Sequence, residues 1–107
     1  MATIGQLYTL GIWKTKKGRE NEFIDIWQTF ADWTSGNVTD SGEGTPLQDQ
    51  ESPQRFISFG PWDKAENIAN WRKEPKFRKF VEQTRQLCEE FELQNMILVG
   101  HSSTEQE

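Results

Sequence analysis

Residues 55–62 read RFISFGPW, a run of strand-forming residues that is apolar on both of its faces. Side chains alternate across a strand, so Phe56 and Trp62 point to one side and Ile57 to the other. Residues 7–13, LYTLGIW, show the same pattern. The helices of the chain can cover only one face of such a sheet, and the second apolar face needs another cover. The sequence therefore predicts a homodimer in which the uncovered faces of two sheets pack together.

Apolar residues at steps of three and four predict two longer helices. The first stripe comprises Phe23, Ile26, Trp27, Phe30 and Trp33 and stops near residues 34–36; the second comprises Phe77, Phe80, Val81, Thr84, Leu87, Cys88 and Phe91. Residues 63–66, DKAE, have the form of a capping box that opens a short helix through Trp71. The second long helix then starts at Glu74-Pro75, because proline fits the first turn of a helix.

Two further strands complete the predicted topology. Residues 45–50 form a weak strand that pairs with residues 55–62 through a turn containing Pro53, and residues 93–99 form the last strand. The order strand, helix, strand, strand, helix, strand is that of a ferredoxin-like βαββαβ fold of the α+β class. It predicts a four-stranded antiparallel sheet with the helices on one face.

The length of 107 residues predicts a single domain, with its core at about 5–100 and a flexible tail at 101–107. The net charge of −5 disfavours nucleic acid as a partner. No apolar run is long enough to span a membrane, and no N-terminal signal is visible. The single cysteine cannot form an internal disulfide. We therefore expect a soluble, cytoplasmic protein.

Histidine and cysteine, which often ligate metals or take part in nucleophilic catalysis, occur only once each. His101 is the only histidine, and Cys88 lies on an apolar stripe where an inert buried thiol is expected. We therefore expect neither a metal nor a cofactor. Asp49, on the predicted second strand, is the candidate carboxylate for a catalytic base.

Small residues alternate with large rings on the predicted strands. Trp13, Phe56 and Trp62 share a face with Thr9, Gly11, Ser58 and Gly60. Small side chains between rings leave volume that suits a flat, apolar ligand, unless rings from the helices fill it. The Gly-rich loop that ends at Gly44 is either a lid or simply mobile.

The short helix supplies two hydrogen-bond donors. Asn67 and Trp71 are four residues apart and so lie on one helical face. They could reach a ligand, or Trp71 could only anchor the helix while Asn67 is solvated.

Residues 59–87, FGPWDKAENIANWRKEPKFRKFVEQTRQL, resemble the second half of antibiotic biosynthesis monooxygenase domains. Residues 14–23, KTKKGRENEF, are similar to the turn between the first strand and first helix of that family. The likeness covers about residues 5–100. It implies a dimeric α+β barrel, and either oxygenation of aromatic substrates without metal or flavin or degradation of haem.

The position of each family residue separates these branches. The haem-degrading pattern matches at Trp71, but its asparagine falls on Gly11 and its haem-ligating histidine on Val81, so haem degradation is disfavoured. The cofactor-free pattern matches at Asn67 and Trp71, while its tyrosine falls on Phe77.

The resemblance thus implies a cofactor-independent monooxygenase that acts with O2 on a small phenol, quinol or polyketide-like substrate. The expected catalytic residues are Asn67 and Trp71, and the expected substrate-binding residues are Gly11, Trp13, Phe56, Trp62 and Phe77. The alternative is a non-catalytic, dimeric small-molecule-binding module with the same fold.

Overall fold

The computed structural model describes residues 3–102. Its elements are β1 (Leu7–Thr15), α1 (Glu20–Asn37), β2 (Thr45–Gln48), β3 (Arg55–Trp62), α2 (Ala65–Arg72), α3 (Pro75–Leu87) and β4 (Cys88–Ile97). The strands form one sheet in the order β2-β3-β1-β4, and every neighbouring pair is antiparallel. The predicted ferredoxin-like α+β fold is confirmed, with α2 and α3 together in the place of its second helix.

The register of β1 aligns rings across the sheet. Trp13 lies opposite Phe56 on β3 and opposite Phe91 on β4. Residues that pair directly across neighbouring strands point to the same face. These three rings therefore share one face, and the burial of Trp13 and Phe56 shows that it is the face beneath the helices. We call it the covered face.

The opposite side of the sheet, which we call the bare face, carries Leu47, Ile57 and Met96. Their side chains are 53%, 40% and 43% exposed, whereas Trp13 and Trp62 on the covered face are 4% and 3% exposed. The prediction that the strands are apolar on both sides is confirmed. What covers the bare face stays a prediction.

Helix α3 ends earlier than the second apolar stripe predicted. The helix ends at Leu87, and Cys88 already has the extended backbone of β4. Phe91 was expected on the helix, but it lies in the strand and stacks on Trp13 with the ring centroids 5.4 Å apart. Packing against Trp13 thus decides the structure of a segment whose spacing also fits a helix.

Helix α2 does not begin with the capping box that residues 63–66 predicted. The residue at the N-cap is Lys64, and no side chain of the helix itself caps it. The carboxylate of Asp40 accepts the backbone amides of Asp63 and Lys64 at 2.9–3.1 Å instead. Asp40 adopts the left-handed conformation, with φ 75°, which aspartate tolerates better than most residues. The loop after α1 therefore caps a helix more than twenty residues away.

Other boundaries differ by a few residues. The first strand continues to Thr15, α1 continues to Asn37, β2 stops at Gln48, and β4 covers Cys88–Ile97 in place of residues 93–99. Of the predicted tail, residues 103–107 lie outside the described residues. None of the helices within residues 3–102 is long and apolar enough to cross a membrane.

Candidate functional site

A cavity of about 90 Å³ lies between the covered face and the helices. Its large side chains come from both layers: Trp13, Trp27, Phe30, Trp62, Trp71, Phe77, Phe80 and Leu93. A single buried water needs a cavity of about 10–15 Å³, so the space would admit several waters or a small organic group. Rings from the helices fill much of the predicted volume, but they leave a cavity.

Gly11 and Trp13 make part of the cavity floor. The indole of Trp13 lies across Gly11 so closely that a Cβ at position 11 would come within 2.5 Å of its ring. The indole N–H donates to Ser58 Oγ at 3.0 Å. Both residues line the cavity, as the sequence predicted. The Trp13 ring can lie here only because glycine has no side chain.

Trp62, Trp71 and Phe77 contribute to the wall of the cavity near α2. The rings of Trp62 and Trp71 are 5.1 Å apart, and Phe77 packs edge-on against Trp71 at 4.8 Å. The indole N–H of Trp62 donates to Thr9 Oγ1 at 3.2 Å. Each ring is held by at least one other, which gives the cavity a defined shape.

The donor of Trp71 is directed at a residue that the sequence analysis missed. Its indole N–H donates to Thr34 Oγ1 at 3.1 Å. Thr34 is 8% exposed and lines the cavity. Because its oxygen accepts from Trp71, the hydroxyl proton of Thr34 remains available to donate. The signal was present in the sequence, since Thr34 follows Phe30 by four residues and so continues the buried stripe better than Trp33.

Asn67 departs from its expected position. Its side-chain amide donates to Asp40 Oδ2 at 2.9 Å, and it is not among the residues that line the cavity. This hydrogen bond, followed by those from the amides of Asp63 and Lys64, holds the pKa of Asp40 below its usual value. Asn67 therefore ties α2 to the loop after α1.

That loop is fastened to the end of β3. The amide of Gly42 donates to the carbonyl of Pro61 at 3.1 Å, and Ser41 forms an isolated bridge with Trp62. Ser41, Gly42 and Gly44 all line the cavity. The loop is thus fastened in place as part of the cavity wall, and a role as a lid stays a prediction.

Phe56 lies in the core and not at the cavity. It lies on the covered face, as expected, but its ring packs on Phe23 with the centroids 5.0 Å apart. It does not line the cavity. The alternation of the strand gave its face correctly, but its place near the start of β3 puts it in the core beneath α1.

Asp49, the carboxylate considered as a base, has a structural role in the turn after β2. Its side chain accepts the backbone amides of Glu51 and Ser52 and pairs with Arg55 at 3.2 Å. These hydrogen bonds, with a smaller contribution from Arg55, lower the pKa of Asp49. It does not line the cavity.

Arg72 is the one ionisable residue among the cavity-lining residues that the structure describes. The thiol of Cys88 lies in the core, where burial raises its pKa to about 11. Residues 3–102 contain no group of three His, Cys, Asp or Glu side chains placed to hold a metal. The site therefore offers aromatic surface, hydroxyl groups and one guanidinium.

No family model matches the sequence, and a search of curated proteins finds no match. Solved structures do match. A mutant of SnoaB, a cofactor-independent oxygenase from Streptomyces nogalater, has a TM-score of 0.80 at 12% identity, over 95% of this chain and 99% of that chain. A conserved protein from Methanosarcina mazei Go1 has a TM-score of 0.79 at 11% identity, over 89% and 94%.

A protein from Bordetella bronchiseptica, provisionally assigned as an antibiotic biosynthesis monooxygenase, has a TM-score of 0.77 at 15% identity, over 89% of this chain and 98% of that chain. At these identities the likeness shows the fold. It confirms, at the level of the fold, the resemblance drawn from the sequence.

Proposed function

We propose that this chain is a cofactor-independent monooxygenase of the antibiotic biosynthesis monooxygenase type. It acts with O2 on a small planar phenol, quinol or polyketide-like compound. The observation that carries the proposal is the aromatic-lined cavity between sheet and helices, in a fold shared with a cofactor-independent oxygenase.

The substrate itself supplies the electrons in this reaction. An anthrone-type substrate loses a proton, and its electron-rich carbanion adds O2 to form a peroxide. The peroxide then loses water and leaves a carbonyl group. One oxygen atom enters the product and the other leaves as water, so that CH2 becomes C=O without an outside reductant.

The protein contributes shape, dryness and a hydrogen-bond donor. Trp13, Trp62 and Phe77 exclude water from the reacting carbon, which strengthens every polar interaction in the cavity. The hydroxyl of Thr34, oriented by Trp71, donates to the oxyanion or peroxide as its charge develops. Trp71 is therefore a positioning residue in this mechanism. Asn67 has an indirect part: it holds Asp40, and through Asp40 it joins α2 to the loop after α1.

The homodimer belongs to the same proposal. An apolar face that carries Leu47, Ile57 and Met96 at 40–53% exposure is unfavourable in water. A two-fold axis brings the same face of a second copy against it, with apolar groups on both sides. Such a dimer would have the architecture that the sequence resemblance implies.

The test is oxidation of anthrone by protein that has been treated with a chelator. We expect the protein to accelerate anthraquinone formation, with one O2 consumed for each quinone formed. Thr34→Val should lower kcat by about 100-fold, the usual effect of losing one oxyanion donor. Thr34→Ser should retain most of the activity because it keeps the hydroxyl.

Thr29→Val is the matched control, since Thr29 is exposed on the same helix and does not line the cavity. It should leave the rate unchanged. Quinone formation at the same rate with and without protein would contradict the proposal. So would a strict need for added metal or flavin.

A second candidate function is a non-catalytic binding module. The observation that favours it is the absence of any carboxylate or imidazole among the described residues that line the cavity. The donors of Trp71 and Asn67 are also paired within the chain. Binding of anthrone without O2 consumption would identify this function.

A further inference from the structure

Arg72 has a position that the proposed mechanism does not use. It is the last residue of α2 and lines the cavity. The residue as a whole is only half-buried, but its Nε is buried and has no hydrogen-bond partner. The ion pairs found within residues 3–102 join Lys14 to Glu89, Arg19 to Glu22 and Arg55 to Asp49, so none includes Arg72.

Such a placement is unfavourable for a guanidinium. A buried N–H that has no acceptor is costly, and it is more costly when it belongs to a charged group. The same burial lowers the pKa of Arg72, although an arginine keeps its proton in proteins. The C-terminal end of α2 stabilises a cation to some extent, but it does not satisfy the buried Nε. For folding alone, an uncharged side chain of similar length would serve better.

The surroundings of Arg72 define the missing partner. The rings of Trp62, Trp71 and Phe77 suit a flat aromatic body, and the hydroxyl of Thr34 can donate to an oxygen. The described lining contains no anion to pair with the guanidinium. A ligand that completes this site has an aromatic ring and an ionised oxygen.

We infer that the cavity binds its aromatic ligand as a phenolate or enolate anion, with the oxyanion paired to Arg72. The inference rests on the proposed function for the identity of the reacting species, because an anionic substrate is the form that reduces O2. It also removes the need for a basic side chain: Arg72 favours the ionised ligand, and the proton leaves to solvent.

A chromophoric phenol tests this directly, in the absence of O2 and without turnover. The probe is 4-nitrophenol, whose phenolate is yellow, titrated with pH at saturating protein. We expect the wild type to lower the apparent pKa of the bound phenol by about one unit or more, which is at least a tenfold preference for the anion. Arg72→Gln should abolish or reverse this shift, because an apolar cavity alone raises the pKa of a phenol.

Two controls separate the charge of Arg72 from its bulk. Arg78→Gln removes an exposed arginine of α3 that does not line the cavity, and it should leave the shift intact. The methyl ether 4-nitroanisole cannot ionise, so wild type and Arg72→Gln should bind it within about twofold of each other. Thermal unfolding of Arg72→Met should occur at the same temperature as in the wild type or higher, whereas a structural role would lower it.

Three results would overturn the inference: no binding of 4-nitrophenol at millimolar concentration, no downward shift in the wild type, or a shift that survives in Arg72→Gln. The last two leave the proposed oxygenase function standing if anthrone is still oxidised. Conversely, a shift that depends on Arg72, in a protein that consumes no O2, supports this inference and contradicts the oxygenase.

Discussion

The covered and bare faces of the sheet are built from the same strands, but their side chains are held in different ways. On the covered face the indoles of Trp13 and Trp62 are fixed by hydrogen bonds to neighbouring strands. The bare face carries aliphatic groups such as Ile57 and Met96 and one aromatic pair, Tyr8 and Phe59, with the ring centroids 6.3 Å apart. A face whose indoles are fixed by hydrogen bonds can shape a cavity, whereas a partly exposed apolar face suits close packing against a matching surface.

The strongest test of this comparison is Trp13→Ala on the covered face. We expect a loss of about 3–5 kcal/mol in the free energy of unfolding, because a large buried ring is removed and Ser58 loses its donor. Urea denaturation measures it. The control is Trp33→Ala, since Trp33 is only half-buried and stacks on Phe30 with the centroids 6.0 Å apart. It should cost less than half as much, and equal losses would contradict the assignment of Trp13 to the core.

The bare face is tested next, by Ile57→Lys. The proposed two-fold dimer then buries two new charges without partners, one from each copy, which together cost at least about 3 kcal/mol and weaken dimerisation by at least about 100-fold. Sedimentation equilibrium at micromolar concentration measures the dissociation constant. Ile24→Lys is the matched control, because Ile24 is 39% exposed against 40% for Ile57 but lies on α1. The bare face is not the interface if both variants dimerise equally well.

A smaller effect on the covered face is expected from Gly11→Ala. The added methyl group would meet the Trp13 ring at 2.5 Å, so the ring must shift at a cost of about 1–3 kcal/mol. Gly36→Ala in α1 provides a control of opposite sign. Nothing lies within 4 Å of its added Cβ, and alanine favours a helix by about 0.5–1 kcal/mol. Stabilisation by both substitutions would show that Trp13 does not pack over Gly11.

Thiol labelling compares the accessibility of the two faces and does not depend on a change in the free energy of unfolding. At about pH 8, Cys88 on the covered side should react slowly, because it is buried and its pKa is raised to about 11. A Met96→Cys variant places a second thiol on the bare face. It should react quickly when dilute and more slowly as rising concentration forms the dimer. Rapid labelling of the second thiol at every concentration would argue against a dimer through this face.

The pH dependence of Cys88 has a definite sign. Its pKa is higher in the folded chain than its usual value of 9.0, so the neutral thiol is favoured by folding. The stability that it contributes is present below pH 9 and is lost as the pH rises through about 11. Cys88→Ala should flatten the fall of stability in that interval, as followed by urea denaturation at several pH values.

Local patterns predicted the faces of the strands well, because alternation is a property of each strand alone. Trp13, Trp62 and Gly11 were therefore assigned to the correct side. Position along the strand depends on which helix lies above it, and this is why Phe56 was placed in the cavity although it packs on Phe23. The sequence pattern carries no information on that choice.

The errors around α2 and α3 have a different origin. The DKAE pattern predicted a local capping box, but Asp40 supplies the cap from a distant loop, and a local pattern cannot reveal such a contact. Cys88 and Phe91 follow Leu87 at steps of one and three residues. This spacing fits a continued helix, and it fits equally well a strand that begins directly after the helix. The stacking of Phe91 on Trp13 is a long-range contact that decides between them.

The direct passage from α3 to β4 bears on how the cavity can open. No residue intervenes between Leu87 and Cys88, and the carbonyl of Leu87 accepts the amide of Lys16 at 2.8 Å. The helix that carries Phe77 is thereby anchored to the sheet at its end. The short helix with Trp71 is instead held through side-chain hydrogen bonds to Asp40 and Thr34, so we expect an incoming ring to displace α2 before it displaces α3. The cavity would then widen on the side of α2, while the side of α3 keeps its shape.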